Sequence, residues 1–212
     1  MAIKEFDKML DEKLQDINDL RLKDLEGKDF SNSKIENVNM NAANAQGANF
    51  SGSDIVGANL GRADLREADF SGSHIDKTWF KFANLKRAKF VASEIVNTKM
   101  RNLRIWSSNF KKAFLMNVSF MRSDMDRSNF EDANARGCSF FLTKMREANL
   151  RGADMRQCTF FKANLRRSDM RGADLRETDL EKAYFTGALI DRSTKLPFST
   201  QKALKLGMVL AS

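Results

Sequence analysis

Ala58-Asn59-Leu60-Gly61-Arg62-Ala63-Asp64-Leu65-Arg66-Glu67 is one phrase written twice: a small residue, Asn or Asp, a large apolar residue, then two flexible or charged positions. Followed outward in both directions, the phrase runs without insertion. Every fifth residue from Phe30 to Ile190 falls in one column of 33 positions, holding eleven Phe, eight Leu, six Ile, six Met and only Ala45 and Ala135 as small members. Two residues before each centre, 27 of the 33 are Ala, Ser or Thr, with Cys138, Cys158, Val38 and Val118 close in size and Lys28 and Leu103 as misfits. A period of five matches neither the helical 3.6 nor the strand period of two. It matches a chain that turns a corner every five residues, with the centre and the small residue pointing inward.

On these residues the chain resembles the pentapeptide-repeat family, whose consensus is A(D/N)LXX, over residues 28 to 192. The resemblance implies an all-β solenoid: a right-handed quadrilateral parallel β-helix with four pentapeptides per coil, here about eight coils. The sequence contains its own test of a 20-residue coil, because centres 20 apart should then stack and share a type. Phe30, Phe50, Phe70, Phe90, Phe110 and Phe130 form one such file, Ile35, Ile55, Ile75 and Ile95 a second, and Phe120, Phe140 and Phe160 a third. At a strand spacing of about 4.8 Å, eight coils make a rod on the order of 40 Å long. Four large centres fill a narrow lumen, so the second inward residue must be small, and Leu103 is expected to bulge the wall.

Composition narrows the function classes. The 212 residues include one His and two Cys, which leaves no room for a multi-His metal site or a disulfide-built scaffold. Cys138 and Cys158 stand one coil apart on the same side and are read as space-filling thiols, with redox or metal use as the alternative. His74 precedes a centre, where the resemblance implies an outward side chain, and has no Cys or His at ligand spacing. No phosphate loop, nucleophile elbow or dinucleotide fingerprint occurs, and the Asp and Asn before each centre are corner chemistry rather than catalytic pairs. The expectation is a non-enzyme without cofactor or metal. No apolar run is long enough to span a bilayer and no signal-peptide core is present, so a cytoplasmic protein is expected, with secretion as a bacterial effector an open alternative.

The ends break the pattern, dividing the chain into residues 1–26, 27–192 and 193–212. Ile3, Phe6, Leu10, Leu14, Ile17 and Leu20 predict an amphipathic helix over residues 2–20, either capping the first coil or binding a partner. Residues 1–26 carry five basic and eight acidic side chains, a balance unsuited to an anionic membrane surface. Ser199 is expected to cap a short helix from Thr200 to about Leu210. Leu204, Met208 and Val209 would cover the last coil or pair with a second copy. By resemblance, such a tail makes a homodimer plausible.

On a solenoid, function lies on the walls. Residues 101–212 carry 21 basic and 12 acidic side chains, against 15 and 16 in residues 1–100. Arg136, Arg156 and Arg176 stack on one side, Arg146 and Arg166 on another, Arg151 and Arg171 on a third. Met121, Phe141 and Phe161 make an apolar file with Leu142 beside it, and Trp79 and Phe82 lie lower on the same side. Val56, Val96 and Met116 make a second file beside Phe114, and Trp106 stands on another side. The candidate interaction surface is Met121, Phe141, Leu142, Phe161, Trp79, Phe82 and Trp106 with Arg136, Arg156, Arg176, Arg146 and Arg166; a solvated wall with local packing is the alternative reading.

The expected function is therefore a rigid scaffold presenting an Arg-rich and apolar wall to a protein partner. A nucleic-acid-binding rod is the next reading. The family's known protection of DNA gyrase from quinolones, by an acidic rod resembling DNA, is a further alternative that fits poorly with a formal charge of +8.

Overall fold

Each pentapeptide forms one short side and one corner. The computed structural model describes residues 18–211. At a typical corner the N–H three residues past the centre donates to the centre's carbonyl, as from Ala43 to Met40 at 3.1 Å and from Ala148 to Met145 at 3.3 Å. The residue before that donor takes a positive φ, 58° at both Ala42 and Glu147. This is the geometry of a tight β-turn. The Asn or Asp preceding the centre fixes the corner, its side-chain oxygen accepting the N–H two residues on: Ser31 to Asp29 at 3.0 Å, Asn41 to Asn39 at 3.1 Å, Arg151 to Asn149 at 3.1 Å.

Four corners close one coil, and each coil pairs in parallel with the next at an offset of 20, from Asp19↔Asn39 to Asp169↔Leu189. The result is a parallel β-solenoid of about nine turns. Its sides are numbered by their buried centres: side 1 follows Phe30, side 2 Ile35, side 3 Met40 and side 4 Ala45. On side 2 the pairing is regular enough to make a five-stranded parallel sheet of β1 (Lys34–Glu36), β2 (Asp54–Val56), β3 (His74–Asp76), β4 (Glu94–Val96) and β5 (Phe114–Met116). Ile35, Ile55, Ile75, Ile95 and Leu115 are in register along it. The sheet ends where the centre shrinks to Ala135 and the corner tightens, Cys138 N–H now donating to the Ala135 carbonyl at 3.1 Å.

The side 1 phenylalanines stack as expected. Successive rings from Phe30 to Phe130 lie 4.7–5.0 Å apart and within 12° of parallel. Phe120, Phe140 and Phe160 form the matching stack on side 3, at 5.3 and 4.9 Å. Across the lumen the two stacks meet edge to face, Phe110 against Phe120 at 5.6 Å and 82°. That arrangement places the positive ring edge on the negative face. In the small column, Ser and Thr hydroxyls donate to the preceding centre's carbonyl: Ser73 to Phe70 at 2.7 Å, Ser168 to Leu165 at 2.8 Å, Thr143 to Phe140 at 2.6 Å. These hydroxyls are thereby satisfied, whereas those of Ser108 and Ser128 in the same column are buried without a partner among the described residues.

Leu103 changes its corner rather than simply swelling it. Its N–H does not reach the Met100 carbonyl. Instead the Ser123 hydroxyl, one coil above, accepts from Leu103 N–H at 3.1 Å and donates to Met100 O at 3.0 Å. The larger side chain opens the turn, and a neighbouring serine closes the circuit.

Two boundaries differ from expectation. Coil stacking already includes Asp19 and Asp24, and Leu20 and Leu25 are buried centres, so the solenoid begins well ahead of residue 27. The small column holds Asn18, Lys23 and Lys28 in this stretch, which hid the repeat and let Leu20 be read as part of a helix. The remainder of the helix expected over 2–20 lies outside the described residues. At the other end α1 spans only Thr200–Lys205; Ser199 caps it, its hydroxyl accepting Lys202 N–H at 3.3 Å. The chain then rejoins the rod: β7 (Val209–Leu210) pairs in parallel with β6 (Leu189–Ile190), still 20 residues apart. Met208 and Ala203 are buried, while Leu204, Leu206, Val209 and Leu210 remain exposed at the end. No helix among the described residues is long and apolar enough to cross a membrane.

Asp191 secures this departure. Its Oδ1 accepts from Ser193 Oγ at 2.7 Å, from Ser193 and Thr194 N–H at 3.0 Å each, and from Gly172 N–H at 3.1 Å. The Ser193 hydroxyl, then the Gly172 amide and Thr194, hold its carboxyl at about 2. A carboxylate with a lowered folded pKa stabilises above its unfolded value, and that contribution is lost as pH falls through the folded value. Asp191→Ala is therefore expected to cost about 1–2 kcal/mol at neutral pH, the range of a lost cap. The cost should shrink between about pH 4 and pH 2. Thermal unfolding of both proteins at the two ends of that window measures it; a cost unchanged at low pH would contradict the assignment.

Candidate functional site

The alternation of the coil sends the residue before each centre and the two after it to the surface, and stacking groups these by side. Trp79, Phe82, Met121, Phe141, Leu142 and Phe161 all fall on side 3. Trp79 and Phe82 are 59% and 52% exposed, whereas Met121, Phe141, Leu142 and Phe161 are half-buried. Phe141 and Phe161 stack on each other at 5.5 Å and 5°. Lys162 and Lys182 place their ammonium groups 5.3 and 5.4 Å from the Phe161 ring, and Lys81 lies 5.0 Å from that of Phe82. Trp106 is separate, on side 4, half-buried with Lys86 at 4.3 Å over its ring. In the second file Val96 is buried, Val56 half-buried, and Met116 and Phe114 exposed on β5.

The arginine files resolve into two kinds. Where the centre is preceded by Asp and followed by Arg, the guanidinium folds back across it onto the carboxylate: Arg66 on Asp64 at 2.7 Å, Arg156 on Asp154 at 2.5 Å, Arg171 on Asp169 at 2.6 Å, Arg176 on Asp174 at 2.6 Å. The side-chain hydrogen bond from each arginine holds Asp154, Asp169 and Asp174 below the usual carboxylate range, Asp174 at about 2. Arg146 pairs instead with Asp126 one coil below, and Arg151 reaches Asp169 at 3.8 Å. Arg136 donates to Gln157 at 3.0 Å, and Arg166 lies over Tyr184 at 5.0 Å. Most of the Arg-rich wall expected on sides 2 and 4 is thus already neutralised within the rod.

Side 3 is different. Across its pentapeptides from Thr78 to Lys162 it carries Lys81, Lys99, Arg101, Arg122 and Lys162 and no acidic residue. None of these five cations lies within ion-pair distance of a carboxylate among the described residues. Where side 3 turns into side 4, the open Leu103 corner leaves a recess of about 460 Å³ lined by Phe82, Asn102, Arg104, Arg122 and Leu142, and by Lys144 and Asp124, which pair with each other at 3.6 Å. No file of one residue type marks these cations in the sequence, because Lys81, Lys99, Arg101, Arg122 and Lys162 occupy three different positions around their centres. Sorting charges by side on the 20-residue period would have found them.

The titratable groups most suited to chemistry are tied up. His74 Nδ1 sits 3.3 Å from Glu94 Oε2 across β3 and β4. Cys138 and Cys158 are buried free thiols, Cys158 donating to the Ala135 carbonyl at 2.9 Å. Burial pushes Cys138 up to about 12 and Cys158 upward as well. Both act as small core side chains.

Eight copies of the pentapeptide-repeat family model match the chain, over residues 24–62, 63–102, 123–160 and 154–192. The chain belongs to the pentapeptide-repeat family. The one internal gap between these matches, residues 103–122, begins at Leu103, where the repeat loses its small residue and its standard corner. Among solved pentapeptide-repeat structures, the chain is similar to HetL, involved in heterocyst differentiation regulation in the cyanobacterium Nostoc sp. strain PCC 7120. That match has 19% identity, covers 73% of this chain and 84% of HetL, and has a TM-score of 0.41. A trypsin-treated variant of QnrB1, a plasmid-mediated fluoroquinolone resistance protein, is 18% identical over 90% of this chain and 97% of its own, with a TM-score of 0.38. The pentapeptide-repeat protein alr5209 from Nostoc PCC 7120 is 28% identical over 53% of this chain and 86% of its own, with a TM-score of 0.28. No curated protein matches. Pentapeptide-repeat proteins are generally structural or binding scaffolds.

Proposed function

We propose that the chain is a non-enzymatic interaction module, a rigid rod that presents one wall to a protein partner. The observation that carries this reading is the contiguous apolar and basic surface of side 3, whose most exposed members, Trp79 and Phe82, have no role in the core. Exposed aromatic residues grouped with cations, on a support with a continuous stacked core, match the composition of protein interfaces. The pairing of His74 and the burial of both thiols support a binding role over a catalytic one.

The test is an affinity pull-down from native lysate at about 0.1 and 0.5 M salt, after nuclease treatment, with a Phe141→Glu/Phe161→Glu variant in parallel. A protein partner is expected to survive the higher salt in reduced amount and to be lost from the variant. If the variant keeps every partner and its oligomeric state, the apolar wall is not the binding surface. Capture that disappears with nuclease and falls steeply with salt would favour the nucleic-acid reading instead.

A further inference from the structure

Side 3 combines two features that folding does not require. The first is a set of cations without counter-charges. Arg156 and Arg176 on side 2 have Asp154 and Asp174 beside them, whereas Arg101 follows Lys99 and finds only the Ser119 hydroxyl, at 3.1 Å. Five like charges on one side repel one another, at a cost that a negative partner would relieve. The second is bulky apolar residues at strained corners. Phe82 and Leu142 take φ of 65° and 56°, the left-handed region that Asn and Gly enter more readily. Phe82 is also exposed. An apolar side chain that is both solvated and held in an unfavourable backbone conformation contributes little to its own fold.

Resting on the scaffold reading above, we propose that side 3, from Trp79 to Lys162, docks an acidic protein segment that also carries apolar side chains. Its carboxylates face Lys81, Arg101, Arg122 and Lys162, and an apolar side chain enters the recess between Phe82 and Leu142. Four coil steps separate Trp79 from Thr159, about 19 Å, which an extended segment of about six residues covers. The choice of protein over single-stranded nucleic acid follows from the rings. Stacking of bases needs open aromatic faces. Phe141 and Phe161 cover one face of each other, and lysines lie over Phe161 and Phe82, which leaves Trp79 as the one ring of these four without such a cover. The ring edges and the Met121 and Leu142 side chains suit aliphatic contact better.

The probe is a fluorescein-labelled peptide of about twelve residues repeating Glu-Leu-Leu-Glu, read by anisotropy against the full chain. Binding is expected to weaken at least about fivefold in Arg101→Gln/Arg122→Gln. It should weaken at least about threefold in Phe82→Asn/Leu142→Asn, a pair that relieves corner strain and so keeps the fold, as circular dichroism would verify. Arg156→Gln/Arg176→Gln removes the same charge from side 2 and should leave affinity within about twofold. The proposal is overturned if the side 2 pair weakens binding equally, if the Asn pair has no effect, or if a Lys-Leu-Leu-Lys peptide binds as well. It is also overturned if oligothymidylate displaces the peptide and its own binding ignores the Asn pair. A rod that fails the peptide test yet captures proteins in the pull-down through Phe141 and Phe161 remains a scaffold without this acidic dock. A rod that captures none fails the scaffold reading itself.

Discussion

Phe90→Ala is expected to lower the unfolding free energy by about 3–5 kcal/mol, the range for removing a fully buried phenyl ring. Phe90 is completely inaccessible and lies between Phe70 at 5.0 Å and Phe110 at 4.7 Å, within 4° of parallel to both. Truncation removes two stacking contacts and leaves a void that the neighbouring coils cannot collapse to fill. The coil spacing is fixed by backbone hydrogen bonds on every side, such as Phe70 N–H to Lys89 O at 2.7 Å and Phe90 N–H to Asn109 O at 2.7 Å. In a solenoid each coil contacts only its neighbours, so the loss is concentrated at one interface. Urea unfolding should show an earlier midpoint and a broadened or split transition as the two halves uncouple. A loss below about 1 kcal/mol would mean that the ladder is not the core it is taken to be.

The second large effect belongs to a hydroxyl. Ser123→Ala should cost about 2–3 kcal/mol, because it strands a buried N–H at Leu103 and a buried carbonyl at Met100 together. Leu103→Ala should suppress that cost. With a small residue restored, the corner can close through a direct 103-to-100 hydrogen bond, as Ala43 does to Met40 on the same side at 3.1 Å. A double-mutant cycle by denaturant unfolding is then expected to show a coupling of at least about 1 kcal/mol. Additive costs would show that the serine and the open turn are unrelated.

The two results separate kinds of legibility. That Phe90 stacks on Phe70 could be read directly, since a fixed period of five taken four at a time leaves one register for like residues. That Ser123 serves Leu103 could not. The sequence marks Leu103 as oversized, but only the neighbouring coil decides whether the wall bulges or the turn opens. The N-terminal boundary failed for a related reason. Lys23 and Lys28 occupy the small column in the first described coil and are exposed there, so the pattern that identifies a coil weakens while the coil persists. At the C-terminus, nothing local to Thr200–Lys205 announces that the chain returns to pair β7 with β6.

The candidate wall was half legible. Trp79, Phe82, Met121, Phe141, Leu142 and Phe161 share side 3 by arithmetic alone. The arginine files misled, because a column of like charges says nothing about what stands beside each member. Asp-Met-Arg at 154–156 and Asp-Leu-Arg at 174–176 are local ion pairs, worth little to stability at the surface yet enough to mask both charges.

The amino-acid order by itself determined which side chains line the lumen, which face water and which lie above one another. Those follow from a repeat whose corners are made locally by Asn, Asp and small residues. The folded rod alone decided which corners open, where the ends rejoin the stack and which cations stay bare. These depend on distances between side chains in different coils, and steric fit and Coulomb attraction are settled only after those coils have come together.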